Sequence, residues 1–83
     1  MGYYPMLLIS KKDLDKHEDF LSNEDWQTSE YSEAYDYVKK AYYTYDVTVF
    51  KGHEIILCQP EFTEFNSDVR TVLDILKVEY STL

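Results

Sequence analysis

Apolar side chains recur at two different periods along this chain, and each period predicts an element. From Ser29 onward, Tyr31, Ala34, Tyr35, Val38, Ala41, Tyr42 and Tyr45 are spaced by three and four residues, the repeat that lines one side of a helix. Val47-Thr48-Val49-Phe50 and His53 to Gln59 are β-branched and apolar segments separated by Lys51-Gly52. That spacing predicts a β-hairpin whose glycine takes positive φ, and Pro60 ends it. Met6 to Ile9 reads as a short buried strand. Ser10, three residues ahead of Asp13, is placed to cap a helix running from about Lys11 to Leu21, with Leu14, Glu18 and Leu21, and Phe20 beside them, as a stripe of limited width. Ser22 and Asn23 punctuate that helix, and Glu24, Asp25 and Glu30 suit the opening turns of the next one, where carboxylates face free N–H groups. Near the C-terminus, Asn66, Ser67 and Asp68 are cap candidates. Val69, Val72, Leu73, Leu76 and Tyr80 then share one face of a final helix from about Asp68 to Tyr80.

The order is strand, one or two helices, hairpin, helix. Burying every stripe at once requires helices on one face of a small antiparallel sheet. The expected fold is α+β: one domain over residues 1–83, in which the N-terminal strand and the hairpin form a short antiparallel sheet packed against two to three helices.

Composition sharpens this picture in two places. Fourteen aromatic rings and 45% hydrophobic content separate the chain from disordered acidic sequences, which lack both. The net charge of −8 is localised: nine carboxylates lie between Asp13 and Asp36 with Lys16 as the one opposing base, whereas seven acids meet seven bases elsewhere. A negative chain is repelled by anionic lipid and by phosphate backbones, so direct nucleic-acid binding and membrane association are not expected. The run Pro5 to Ile9 is too short for a signal peptide or a membrane span. Cys58 is the single cysteine, which rules out an internal disulfide and suits a reducing cytoplasm.

No catalytic motif is present, and an enzyme is not expected. His17 lies among Asp15, Glu18 and Asp19 and reads as solvated surface, while His53 follows the hairpin glycine. Neither has zinc-ligand spacing to the other or to Cys58. Asp13, Asp15, Glu18 and Asp19 lack the glycine bend and the twelfth-position glutamate of a calcium loop. No metal and no cofactor is expected.

What remains is the acidic segment. Drawn out as one helix at about 1.5 Å per residue, it would span about 35 Å with a negative charge every ~4 Å, close to the roughly 3.4 Å per charge of one DNA strand. Glu30, Glu33 and Asp36 recur every third residue, and Glu33 and Asp36 avoid the Tyr31, Ala34, Val38 stripe, so they can face outward together. Such neighbours repel by about 0.2–0.5 kcal/mol a pair with no evident return to folding, which points to a partner. Nine tyrosines add a second signal, because Tyr3, Tyr4, Tyr37 and Tyr43 fall off the main stripes and tyrosines beside carboxylates make contact surfaces. Trp26, between Asp25 and Gln27, is either a lid folded on the core or an anchor for a partner.

In composition and charge layout the chain resembles the small inhibitors that phages and other mobile elements direct against host defence nucleases, including anti-CRISPR proteins and anti-restriction DNA mimics. The resemblance implies a protein-binding inhibitor that occupies a basic nucleic-acid groove. The residues of this chain expected to meet the partner are Glu24, Asp25, Trp26, Glu30, Glu33, Asp36 and Tyr37. The alternative from another class is an interaction or assembly module, a homodimer through the hairpin edge or the tyrosine-rich helix, whose acidity serves solubility.

Overall fold

A computed structural model of the chain describes residues 6–60 and 63–82, with side chains of the last helix described from Phe65 onward. Tyr3 and Tyr4 lie outside the described residues. Strand β1 (Leu7–Ser10) leads directly into two short helices, α1 (Lys11–Asp15) and α2 (Glu18–Asn23), and a 3₁₀ turn over Asp25–Thr28. Helix α3 (Ser32–Thr44), the hairpin strands β2 (Val47–Phe50) and β3 (His53–Cys58), helix α4 (Thr63–Leu76) and strand β4 (Tyr80–Thr82) follow.

The four strands form one antiparallel sheet in the order β2-β3-β1-β4. Leu7 faces Cys58 and Thr82 across the two seams of β1, and Ile9 faces Ile56 and Tyr80. Alternation along the strands then sends Leu7, Ile9, Ile56 and Cys58 to one side. There they meet Leu14, Leu21, Ala34, Tyr35, Val38, Ala41, Val69, Val72, Leu73 and Leu76 from the helices in one buried core. The α+β fold with helices layered on a small antiparallel sheet is therefore the observed one.

The local signals act largely as the sequence implies. Ser10 Oγ accepts the Asp13 N–H at 3.3 Å, capping α1. The hairpin turn places Lys51 at φ 53° and Gly52 at φ 81°, the paired left-handed conformations that match the twist of a two-residue β-hairpin. Three expectations need correction. The helix expected over Lys11 to Leu21 is broken at Lys16 and His17, because His17 takes φ −112°, ψ 15° and starts a new helix without a side-chain cap. The last helix begins at Thr63, so Asn66, Ser67 and Asp68 lie inside it. Asn66 is buried and donates its Nδ2 hydrogen to the Pro60 carbonyl at 3.4 Å.

The same helix stops at Leu76, short of Tyr80. Lys77 adopts φ 58°, Lys77 N–H donates to Asp74 O and Val78 N–H donates to Leu73 O. This left-handed closure turns the chain back, buries Val78 and frees Tyr80 to pair with Ile9 as a fourth strand.

Candidate functional site

The acidic segment is folded into four pieces, so its charges form a patch. A rod of about 35 Å would exceed the molecule's longest extent of 33 Å. Three of the nine carboxylates are committed to the fold. Asp13 accepts the Glu79 N–H at 2.9 Å and lies 3.7 Å from the Lys16 ammonium, fastening α1 to the approach of β4. Asp15 accepts the Tyr42 hydroxyl at 2.6 Å and pairs with Lys11 at 3.2 Å. The Tyr42 bond first, and Lys11 second, hold the Asp15 carboxyl below the usual carboxylate range, and the same bond raises the Tyr42 hydroxyl above the ordinary tyrosine value. Glu24, at φ 58° after the end of α2, pairs with Lys39 on α3 and accepts from Gln27 Nε2 at 2.6 Å.

The other six, Glu18, Asp19, Asp25, Glu30, Glu33 and Asp36, are exposed. None of their carboxylates makes an ion pair or a hydrogen bond among the described residues. The reason for Glu33 and Asp36 is the helical period. On α3, Ala34, Tyr35, Val38 and Ala41 are buried, and the opposite stripe of Glu33, Asp36, Lys40 and Tyr43 faces outward. Glu33 and Asp36 share a shallow depression of about 340 Å³ with Glu24, Trp26, Gln27 and Ser32. Four of the seven residues expected to meet a partner, Glu24, Trp26, Glu33 and Asp36, are thus drawn together where the 3₁₀ turn rests on the start of α3. Asp25 and Glu30 are exposed on and just after that turn.

Trp26 and Tyr37 occupy different positions. Trp26 is buried, stacked on Tyr35 with ring centres 5.8 Å apart, and Phe20 meets the same Tyr35 edge-on at 5.7 Å. The indole is a lid on the core whose edge lines the depression. Its Nε1 hydrogen is buried without a hydrogen-bond partner among the described residues. Tyr37 is half-buried on the far flank of α3, edge-on to Phe65 at 5.3 Å and to Tyr45 at 6.3 Å, and away from the depression's lining. Burial, with a hydrogen bond to Tyr45 second, raises its hydroxyl well above the ordinary tyrosine value. Two aromatic groups therefore pack against α3, taking in Tyr35, Tyr37 and Tyr45; Tyr43 remains exposed, edge-on to Tyr42 at 4.9 Å.

Cys58 is buried on the core face of β3, where burial pushes its thiol up to about 12. His17 and His53 stand apart, at the start of α2 and the hairpin turn, and no cluster of three or more metal-ligating side chains occurs among the described residues. No described helix is long and apolar enough to cross a membrane. Comparison with protein-family models, with curated proteins and with solved structures finds no match.

Proposed function

We propose that the chain is a protein-binding inhibitor that lays its acidic patch against a basic groove normally filled by nucleic acid, on a host defence nuclease or a similar DNA-processing protein. On this reading it acts in the cytoplasm of the host cell, without metal, cofactor or catalysis. The observation that supports it most is the division among the nine acids. Three are neutralised within the fold, although bases such as Lys12 and Lys40 remain exposed, and six are left outward and unpaired among the described residues. Outward carboxylates that repel one another offset part of the folding free energy and return it only when a cationic surface arrives.

Glu33 and Asp36, three residues apart on α3 and both lining the depression, offer two carboxylates to arginine or lysine side chains. Asp25 and Glu30, exposed on and just after the 3₁₀ turn, add to the same charge. Trp26 supplies an apolar floor rather than an inserted anchor, and Tyr37 supports α3 from behind. Long-range attraction speeds encounter, and desolvated contacts at the floor slow release.

The test is a pull-down from a host lysate at low and high salt, followed by affinity measurement on the captured protein. Reversing Glu30, Glu33 and Asp36 together to Lys is expected to weaken binding by more than about 100-fold while the far-ultraviolet dichroism stays native. Native affinity is expected to fall steeply with salt, since exposed charges are screened over about 8–10 Å near physiological ionic strength. Unchanged affinity in the triple variant would sink the proposal.

A further inference from the structure

The sheet ends in two very different edges. The β4 edge is three residues long and polar, Tyr80-Ser81-Thr82. The β2 edge, Val47–Phe50, exposes all four of its residues, with Val49 at 70%, Val47 at 42% and Phe50 at 38%. It has no proline and no charge within the strand, so two of the devices that blunt a free edge are missing. We propose that this edge is the seam of a symmetric homodimer, in which β2 pairs antiparallel with β2 of a second copy and the two four-stranded sheets become one.

Geometry selects the register. Phe50 and His53 flank the two-residue turn and form the hydrogen-bonded closing pair, so Thr48 also bonds inward to β3, and Val49 and Val47 direct their N–H and C=O groups to the open edge. A two-fold axis perpendicular to the sheet preserves its faces, so a residue can oppose only one on its own face. Centring the axis on Thr48 sets Val47 of one copy against Val49 of the other, twice. All the outward groups of both strands are then satisfied, in four hydrogen bonds. Shifting the axis to Val49 would oppose Val47 to Lys51 in the turn and waste half of them.

Side chains agree with the same register. Val47 and Val49 cross on one face. On the other, Thr48 meets Thr48 and Asp46 meets Phe50, with Cβ atoms about 4.5–5.5 Å apart. The Lys51 ammonium already lies 5.3 Å from the centre of the Phe50 ring, which brings it beside the Asp46 of the other copy. Asp46 and Lys51 are both exposed and make no ion pair among the described residues. The seam is thus closed at each end by complementary charge, which favours a second copy over an unrelated strand. It uses no residue of the acidic patch and stands independently of the inhibitor reading.

Sedimentation equilibrium of the full chain tests it. A four-residue seam is well below the standard interface of about 1,600 Å², so a dissociation constant on the order of 10–100 µM is expected. Val49→Lys, which keeps the backbone N–H and alters a mostly solvated side chain, should weaken association at least about 10-fold with unchanged dichroism. Asp46→Lys alone and Lys51→Asp alone should each weaken it by a similar factor. The combined swap should restore it to within about 3-fold of the native chain. A native chain that stays monomeric to about 300 µM, ten times the middle of that range, overturns the proposal. So does a dimer indifferent to Val49→Lys, or a double swap that fails to recover.

Discussion

Asp13 and Glu33 carry the same charge in the same stretch of sequence, yet one is part of the fold's fabric and the other is a guest on its surface. Asp13 holds the Glu79 amide and lies within reach of Lys16, so removing it would take away the bond that ties α1 to the approach of β4. Glu33 is exposed in the first turn of α3 and makes no ion pair among the described residues. Their difference teaches that an acidic run is a mixture, and that the carboxylates available to a partner are those that pair with no lysine among the described residues.

That contrast can be broken by measurement. The largest effect belongs to the outward set, where the triple reversal of Glu30, Glu33 and Asp36 should abolish binding yet leave unfolding by urea unchanged or slightly harder. If those reversals instead unfold the chain, the division between structural and free acids fails. Next in size is Asp13→Ala, expected to cost about 1.5–3 kcal/mol in urea unfolding because a charge-assisted hydrogen bond to a backbone amide is lost.

Tyr42→Phe comes third, with a cost of about 0.5–1.5 kcal/mol for the bond to Asp15. It also carries a pH signature. The Asp15 carboxyl is held below its ordinary value, so its contribution is present above pH ~4 and fades as pH falls through the lowered value. In the phenylalanine variant the acid limb of stability should flatten. The Tyr42 hydroxyl is shifted upward, so its share is present below pH ~10 and fades as pH rises further, a loss the variant should also lack. Smallest of all, Glu33→Gln or Asp36→Asn should change stability by less than about 0.5 kcal/mol. A loss of 2 kcal/mol or more from either would place that carboxylate with Asp13.

Much of the fold was legible because its signals are local. The Ser10 cap needs only Asp13 three residues on, the hairpin needs Lys51-Gly52 between two apolar runs, and the α3 stripe is written in the spacing of Ala34, Tyr35, Val38 and Ala41. What was not legible depends on distant partners. Tyr80 continues the helical spacing of Val69, Val72, Leu73 and Leu76, and only the closure at Lys77 and the pairing with Ile9 convert it to a strand. Lysine at a left-handed position sends no signal of the kind a glycine would. At the site, the outward stripe of Glu33 and Asp36 was readable, whereas the capture of Glu24 by Lys39, fifteen residues away, was not. Trp26 could be narrowed to lid or anchor, and the stacking on Tyr35 decides for the lid.

Strand β1 lies between β3 and β4, so the first described strand is completed by the last. During synthesis Leu7 to Ile9 emerge early and wait with one side unmatched until Tyr80 to Thr82 have cleared the ribosome. Loss of Tyr80 to Thr82 would leave β1 bare along one flank, an opening for chaperones, proteases or neighbouring nascent chains.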